Sequence, residues 1–196
     1  MNYLRGFIPW ITYGALSWAV WQWSALAALL LGCVLLYADR ADGLSPSARI
    51  LDYGSLVFFA GLTVFAFLSP DSGLRSYDGA LSSGWLALIT LGSIAVRRPF
   101  TLAIARRKAP REVWGTSVFM RINYVISAVW GASFVLAAAA QVLATAYGLG
   151  PSALIAIHVS AFVIPWRFTV GYPERARARF LKKAGERPYV QEARPA

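Results

Sequence analysis

An all-α polytopic membrane bundle, six transmembrane helices arranged as three hairpins, is the fold that three observations on this chain predict. Its 196 residues are 58% hydrophobic and only 14% charged, with a mean hydropathy of +0.53, which is not the mix of a soluble domain. Long apolar runs alternate with short polar connections. The 19 Lys and Arg are also distributed unevenly: six spans with both termini cytoplasmic put every one of them except Arg75 on one face. A five-span arrangement would move Arg5 to the wrong side.

The first run, residues 3–38, would be about 54 Å long as one helix, nearly twice the hydrocarbon thickness, so it must hold two spans. Trp18, Trp21 and Trp23 crowd its centre, and tryptophans favour the membrane interface; a tight hairpin there gives spans near 5–20 and 23–38. The same aromatic crowding, without a small-residue cleavage pattern, makes the first stretch a mature span and not a signal peptide. Residues 39–52 carry five charges with Gly43 and Pro46 and form an aqueous connection. A third span follows at 53–69, a short polar loop at 70–78, and a fourth span at 79–96. In that fourth span Ala80, Gly84 and Gly92 make a small-residue stripe suited to close helix packing.

The stretch from Arg97 to Trp130 is the most informative. It holds seven of the basic residues and mixes them with Phe100, Leu102, Ile104, Trp114 and Phe119, as a segment lying against an anionic membrane surface would. Pro99 suits the first turn of a helix. A short interfacial helix is predicted over Phe100–Lys108, with Phe100, Ala103 and Ile104 on one face and Arg106, Arg107 and Lys108 at its end. Pro110 breaks it and Trp114 anchors the loop. The fifth span runs over about 119–145, with Ala128, Ala132, Ala140 and Ala144 as its small stripe, and the sixth over 152–168. Residues 1–172 are thus the membrane domain and 173–196 a basic cytoplasmic tail, whose first half reads as a surface helix ending at Gly185.

Few residues suggest chemistry. His158, the single histidine, falls inside the sixth span, where it serves either as a proton relay or as a neutral imidazole bonded to a neighbouring helix. Cys33 is alone, which excludes an intrachain disulfide or a cysteine metal cluster, and no metal or cofactor is expected. The acidic Asp39, Asp52, Asp71 and Asp78 lie at span ends, and serines lack a histidine-type base partner, so no catalytic residue is assigned and the chain reads as non-enzymatic. Arg121 either holds a lipid phosphate or snorkels to the interface. Asp52, Arg98, Arg121 and Asn123 should meet as a structural polar cluster, because all four sit at the cytoplasmic ends of spans. The lipid-binding set is Arg98, Arg106, Arg107, Lys108, Trp114, Arg121 and Asn123.

The order Arg98-Pro-Phe-Thr, a basic stretch, Pro110 to Trp114, Arg121-x-Asn123 and Trp130, together with Phe7-Ile8-Pro9 before a paired hairpin, resembles the bacterial intracellular septation protein A (YciB-like) family. The resemblance spans roughly residues 5–145 and is specific at 97–130. It implies a multi-pass protein of the bacterial inner membrane linked to envelope synthesis or division, with no catalytic residue to carry over. The expected function is therefore a scaffold or partner of other envelope membrane proteins, with a basic face for anionic phospholipid and room for a homo-oligomer. The alternative is a small transporter or lipid-handling protein with a polar cavity near Arg121, Asn123 and His158. Nucleic acid is not an expected partner, because the basic runs sit beside spans and no nucleic-acid-binding motif accompanies them.

Overall fold

A computed structural model of the chain describes residues 5–39, 49–106 and 109–185, and no strand occurs among them. A 3-10 turn, Arg5–Phe7, leads into α1 (Ile8–Ala38), followed by α2 (Ile50–Leu68), α3 (Asp78–Ala95), α4 (Thr101–Arg106), α5 (Ser117–Ala146) and α6 (Pro151–Gly185). Four stretches are long and apolar enough to cross a membrane: Arg5–Ala38, Ile50–Leu68, Ser117–Ala146 and Pro151–Phe180.

The first of these is not straight. Val20 leaves helical geometry (φ −140°, ψ 72°), and Arg5 Nη2 lies 2.9 Å from Asp39 Oδ1, although a straight helix would separate the two residues by about 50 Å. The chain folds back on itself at Val20. Side-chain bonds occupy backbone groups that the reversal frees: Trp18 Nε1 donates to the Ala15 carbonyl, Arg75 to that of Trp18, and Ser24 Oγ to that of Val20. Trp21 Nε1 donates to the Pro70 carbonyl and so ties the reversal to the loop before α3. At the far end of the second arm the buried Arg49 guanidinium donates to the carbonyls of Leu36 and Asp39, where a cation also complements the helix dipole.

The short first arm of α1 touches most of the other helices. Trp10 Nε1 donates to Ser55 Oγ at 2.7 Å and its ring packs on Phe58 and Phe59 of α2. Tyr13 reaches α3, donating to Asp78. Just ahead of the arm, Phe7 stacks on Trp130 of α5 at 4.8 Å and meets Phe162 of α6 edge-on. α3 packs along α5, and α5 along α6.

Both long C-terminal helices are shaped by identifiable residues. Thr116 caps α5 by accepting the Phe119 amide, and Gly148, at φ 65°, closes it in a left-handed turn with Leu149 N–H on the Ala144 carbonyl. Pro165 lies inside α6 and cannot bond back to Ala161; Ser133 Oγ of α5 donates to that carbonyl instead, at 3.1 Å. α6 continues through Pro173 to Gly185 without a break, so the helix expected in the tail is an extension of the sixth apolar segment.

Two packing expectations are corrected. A side chain added at Gly84 or Gly92 would meet nothing within 4 Å, so the two glycines of the stripe expected on α3 lie off the packed face although its Ala80 is buried, and α3 packs through Ala80, Ser82, Ser83, Leu86, Thr90 and Ser93. The hydroxyls of Thr90 and Ser93 bond to carbonyls one turn back, which lets them be buried. On α5, Ala128 and Ala132 of the expected stripe are exposed while its Ala144 is buried, and the packed face runs through Ser127, Trp130, Gly131, Phe134, Gln141 and Ala144.

Candidate functional site

Charge in this bundle is segregated by end. Arg5, Arg49, Arg97, Arg98, Arg106, Arg111 and Arg121 all lie at the end where α3 finishes and α5 begins, and the cations of the lower part of α6 join them there. Arg75, in the loop before α3, is the one Lys or Arg at the opposite end among the described residues.

At the basic end a groove of about 580 Å³ opens between the first turns of α5 and the last turns of α6. Its floor is apolar, formed by Val118, Ile122, Tyr172 and Phe180. Arg121, Arg179 and Lys182 line it with positive charge. The local reason is helical spacing: Tyr172, Ala176, Arg179 and Phe180 fall on one face of an unbroken α6, opposite Val118, Arg121 and Ile122 on one face of α5. Apolar walls beneath two guanidiniums and an ammonium suit an anion that carries a hydrocarbon tail, and a volume of this size lies within the range of small-ligand sites.

The expected site residues divide among several places. Arg121 is in this groove; Asn123, two positions on, is buried and donates its amide to the Phe119 carbonyl of its own helix. Asp52 lines a different and much smaller cavity with Arg5, Gly6 and Asp39. The expected cluster of Asp52, Arg98, Arg121 and Asn123 is therefore not gathered at one cavity: Arg98 is exposed after α3, in a turn where its amide bonds to the Ser93 carbonyl and Arg97 adopts φ 57°. Arg106 and Arg111 both lie over the Trp114 ring, at 5.2 and 5.9 Å from its centre, and Trp114 Nε1 bonds to the Ala109 carbonyl. Arg107 and Lys108 lie outside the described residues.

The interfacial helix is also corrected. Phe100 and Leu102 are only 4% and 7% exposed, and Phe100 packs edge-on against Phe7 and Trp130 inside the bundle. Buried Pro99 and the bond from the Phe100 amide to Ser93 Oγ turn the chain inward, and Thr101 Oγ1 then bonds to the Asn123 carbonyl and to Ser127 Oγ. His158 is remote from Arg121. Its ring lies against Phe162, which packs on Phe134, thirteen residues and about 20 Å further along α5 than Arg121.

Sequence reasoning missed Arg179 and Lys182; the 172–176–179–180 spacing was a usable signal, but Pro173 at its start reads as a break between the sixth span and the tail. It also missed that Tyr13 and Asp78 meet, for which the linear sequence offers no sign. No protein-family model, curated protein or solved structure matches the chain. Phe7, Phe100 and Trp130 pack ring on ring, and Thr101 Oγ1 donates to the Asn123 carbonyl. Their contacts are those of a packing core.

Proposed function

We propose that the chain is a non-enzymatic integral membrane protein with six passes and both termini on the cytoplasmic side, whose basic groove between α5 and α6 holds the phosphate of an anionic phospholipid. The observation that carries this reading is the segregation of cations to one end of an apolar bundle, with a charged groove over an apolar floor at that end. The two arms of α1, together with α2, α3, α5 and α6, supply the six passes. α3, with 18 residues and four buried hydroxyl side chains, is not among the four stretches apolar enough to cross a membrane by composition alone. Because it is flanked by α5 and α2, its polar face meets protein.

The resemblance over residues 97–130 supplies the wider role: a bacterial inner-membrane protein that partners other envelope or division proteins. A transporter would need Arg121, Asn123 and His158 around one cavity, and their separation does not favour that reading.

Single cysteines at positions 22, 74 and 149, in a Cys33→Ser background, test the passes. All three should react with an impermeant maleimide applied from outside; protection of all three rules the topology out. For the groove, Arg121→Gln combined with Arg179→Gln and Lys182→Gln should reduce retention of phosphatidylglycerol about a hundredfold in native mass spectrometry, since each of the three surface cations contributes about 1 kcal/mol towards an anionic leaflet. Phosphatidylethanolamine retention should barely change. Equal phosphatidylglycerol retention in the variant and the parent would count against the site.

A further inference from the structure

The first turn of α5 is itself part of the groove between α5 and α6, since Ser117 and Val118 both line it. Thr116 caps that turn: its hydroxyl accepts the Phe119 amide and its carbonyl accepts the Met120 amide. The Ser117 and Val118 amides find no acceptor among the described residues, because the residues four places before them, Val113 and Trp114, lie outside the helix. This positive helix end carries no acidic side chain to balance it; Arg121 follows Ser117 by four residues on the same face instead. Across from them α6 brings Arg179 and Lys182, and among the described residues no carboxylate lines the groove. Two open amides, the Ser117 hydroxyl, two guanidiniums and an ammonium therefore border one space.

A phosphodiester headgroup offers such donors two unsubstituted oxygens and a single negative charge. A phosphate monoester offers three oxygens and about −1.5 to −2 charges at neutral pH, so it satisfies more of the donors and neutralises more of the cations. We propose, building on the reading of this groove as a phospholipid site, that its preferred occupant is a lipid whose headgroup is a bare phosphate monoester, of the phosphatidic acid class. The glycerol or ethanolamine of a diester occupies the oxygen that the first turn of α5 would otherwise bond. Arg121, Arg179 and Lys182 supply charge, and the α5 amides with the Ser117 hydroxyl supply the choice between monoester and diester. Val118, Ile122 and Phe180 give the acyl chains an apolar floor, which favours a lipid over a soluble phosphate.

Native mass spectrometry of the full chain with phosphatidic acid and phosphatidylglycerol of identical acyl chains reads the preference. At about pH 8 phosphatidic acid should be retained about tenfold more strongly, and at about pH 5 the two should converge as the monoester takes up its second proton. The charged and titratable groups facing the lipid are Arg121 from α5 and Tyr172, Arg179 and Lys182 from α6, with no histidine or carboxylate among the described lining residues. Ser117→Pro removes one open amide and the hydroxyl together. Thr116 already has the extended backbone that precedes a proline (φ −71°, ψ 143°), and proline suits the first position of a helix, so the variant should fold. It should lower phosphatidic acid retention several-fold, and more than it lowers that of phosphatidylglycerol. Equal retention of the two lipids by the parent at about pH 8, both reduced in the triple Arg121, Arg179 and Lys182 variant, overturns the monoester preference and leaves the groove standing. Retention that the triple variant does not reduce overturns the groove and the preference together. Displacement of phosphatidic acid by excess soluble glycerol phosphate overturns the assignment to a lipid.

Discussion

Replacing Phe7 by alanine should lower the stability of the protein in detergent by about 3 kcal/mol, the largest effect expected of any single truncation near the N-terminus. Phe7 is 1% exposed and touches four rings: stacked on Trp130 at 4.8 Å, and in edge or tilted contact with Phe100, Phe134 and Phe162. These come from α5, α6 and the segment before α4, so one side chain joins the start of the chain to the C-terminal half. In a bilayer the hydrophobic term largely cancels, because acyl chains are as apolar as the protein interior; what remains is the loss of packing around the cavity. That is why the estimate sits at the low end of Phe→Ala values in aqueous cores. Ile11→Ala on the same arm is the control, since Ile11 is exposed and should change stability by less than about 0.5 kcal/mol. Chemical or thermal unfolding monitored by tryptophan fluorescence reads both, and equal effects at positions 7 and 11 would mean that the aromatic knot does not hold the halves together.

How far the sequence discloses this architecture depends on what kind of signal each part leaves. Element existence is legible from hydropathy and punctuation: the runs expected at 53–69, 79–96 and 119–145 correspond to helices Ile50–Leu68, Asp78–Ala95 and Ser117–Ala146. The fold-back near Trp18–Ser24 follows from length, since a run of that size exceeds one membrane thickness. Inter-helix faces are not legible in the same way. Small residues mark where backbones can approach, and Ala80 and Ala144 are buried, but Ala128, Ala132, Gly84 and Gly92 look outward, and the buried faces also use aromatic residues and hydroxyls such as Thr90 and Ser93, which bond to carbonyls of their own helix. Trp130 could be read as a packing residue from its depth in the span, whereas its partners Phe7, Phe100 and Phe162 could not be paired from a linear sequence. Charge shows the same contrast. Cation counting assigns Arg121 to the basic end, but pairing it with Asp52 assumed that equal depth means adjacency; a ring of helices has many positions at one depth, and these two line separate cavities.

The contrast between Gly131 and Gly92 tests that distinction with a large expected effect. At Gly131, on the face of α5 that meets α3, an added Cβ would stand 2.6 Å from Leu91 Cδ2, 3.0 Å from Leu91 Cγ and 3.2 Å from Thr90 Oγ1. Alanine could be accommodated there, because Leu91 is partly exposed and can turn outward. Leucine cannot: its further carbons must displace Thr90, which is fully buried and whose hydroxyl bonds to the Ala87 carbonyl. Forcing the helices apart should cost about 3 kcal/mol, the upper part of the range for overpacked cores. Gly92→Leu, by contrast, adds a side chain where nothing lies within 4 Å and gains about 1 kcal/mol of helix propensity, so it should be neutral or mildly stabilising. Unfolding measurements on the two variants in the same detergent decide between the stripe read from spacing and the close approach seen in three dimensions. A Gly92→Leu variant less stable than Gly131→Leu would place the α3 packing face on the small-residue stripe after all.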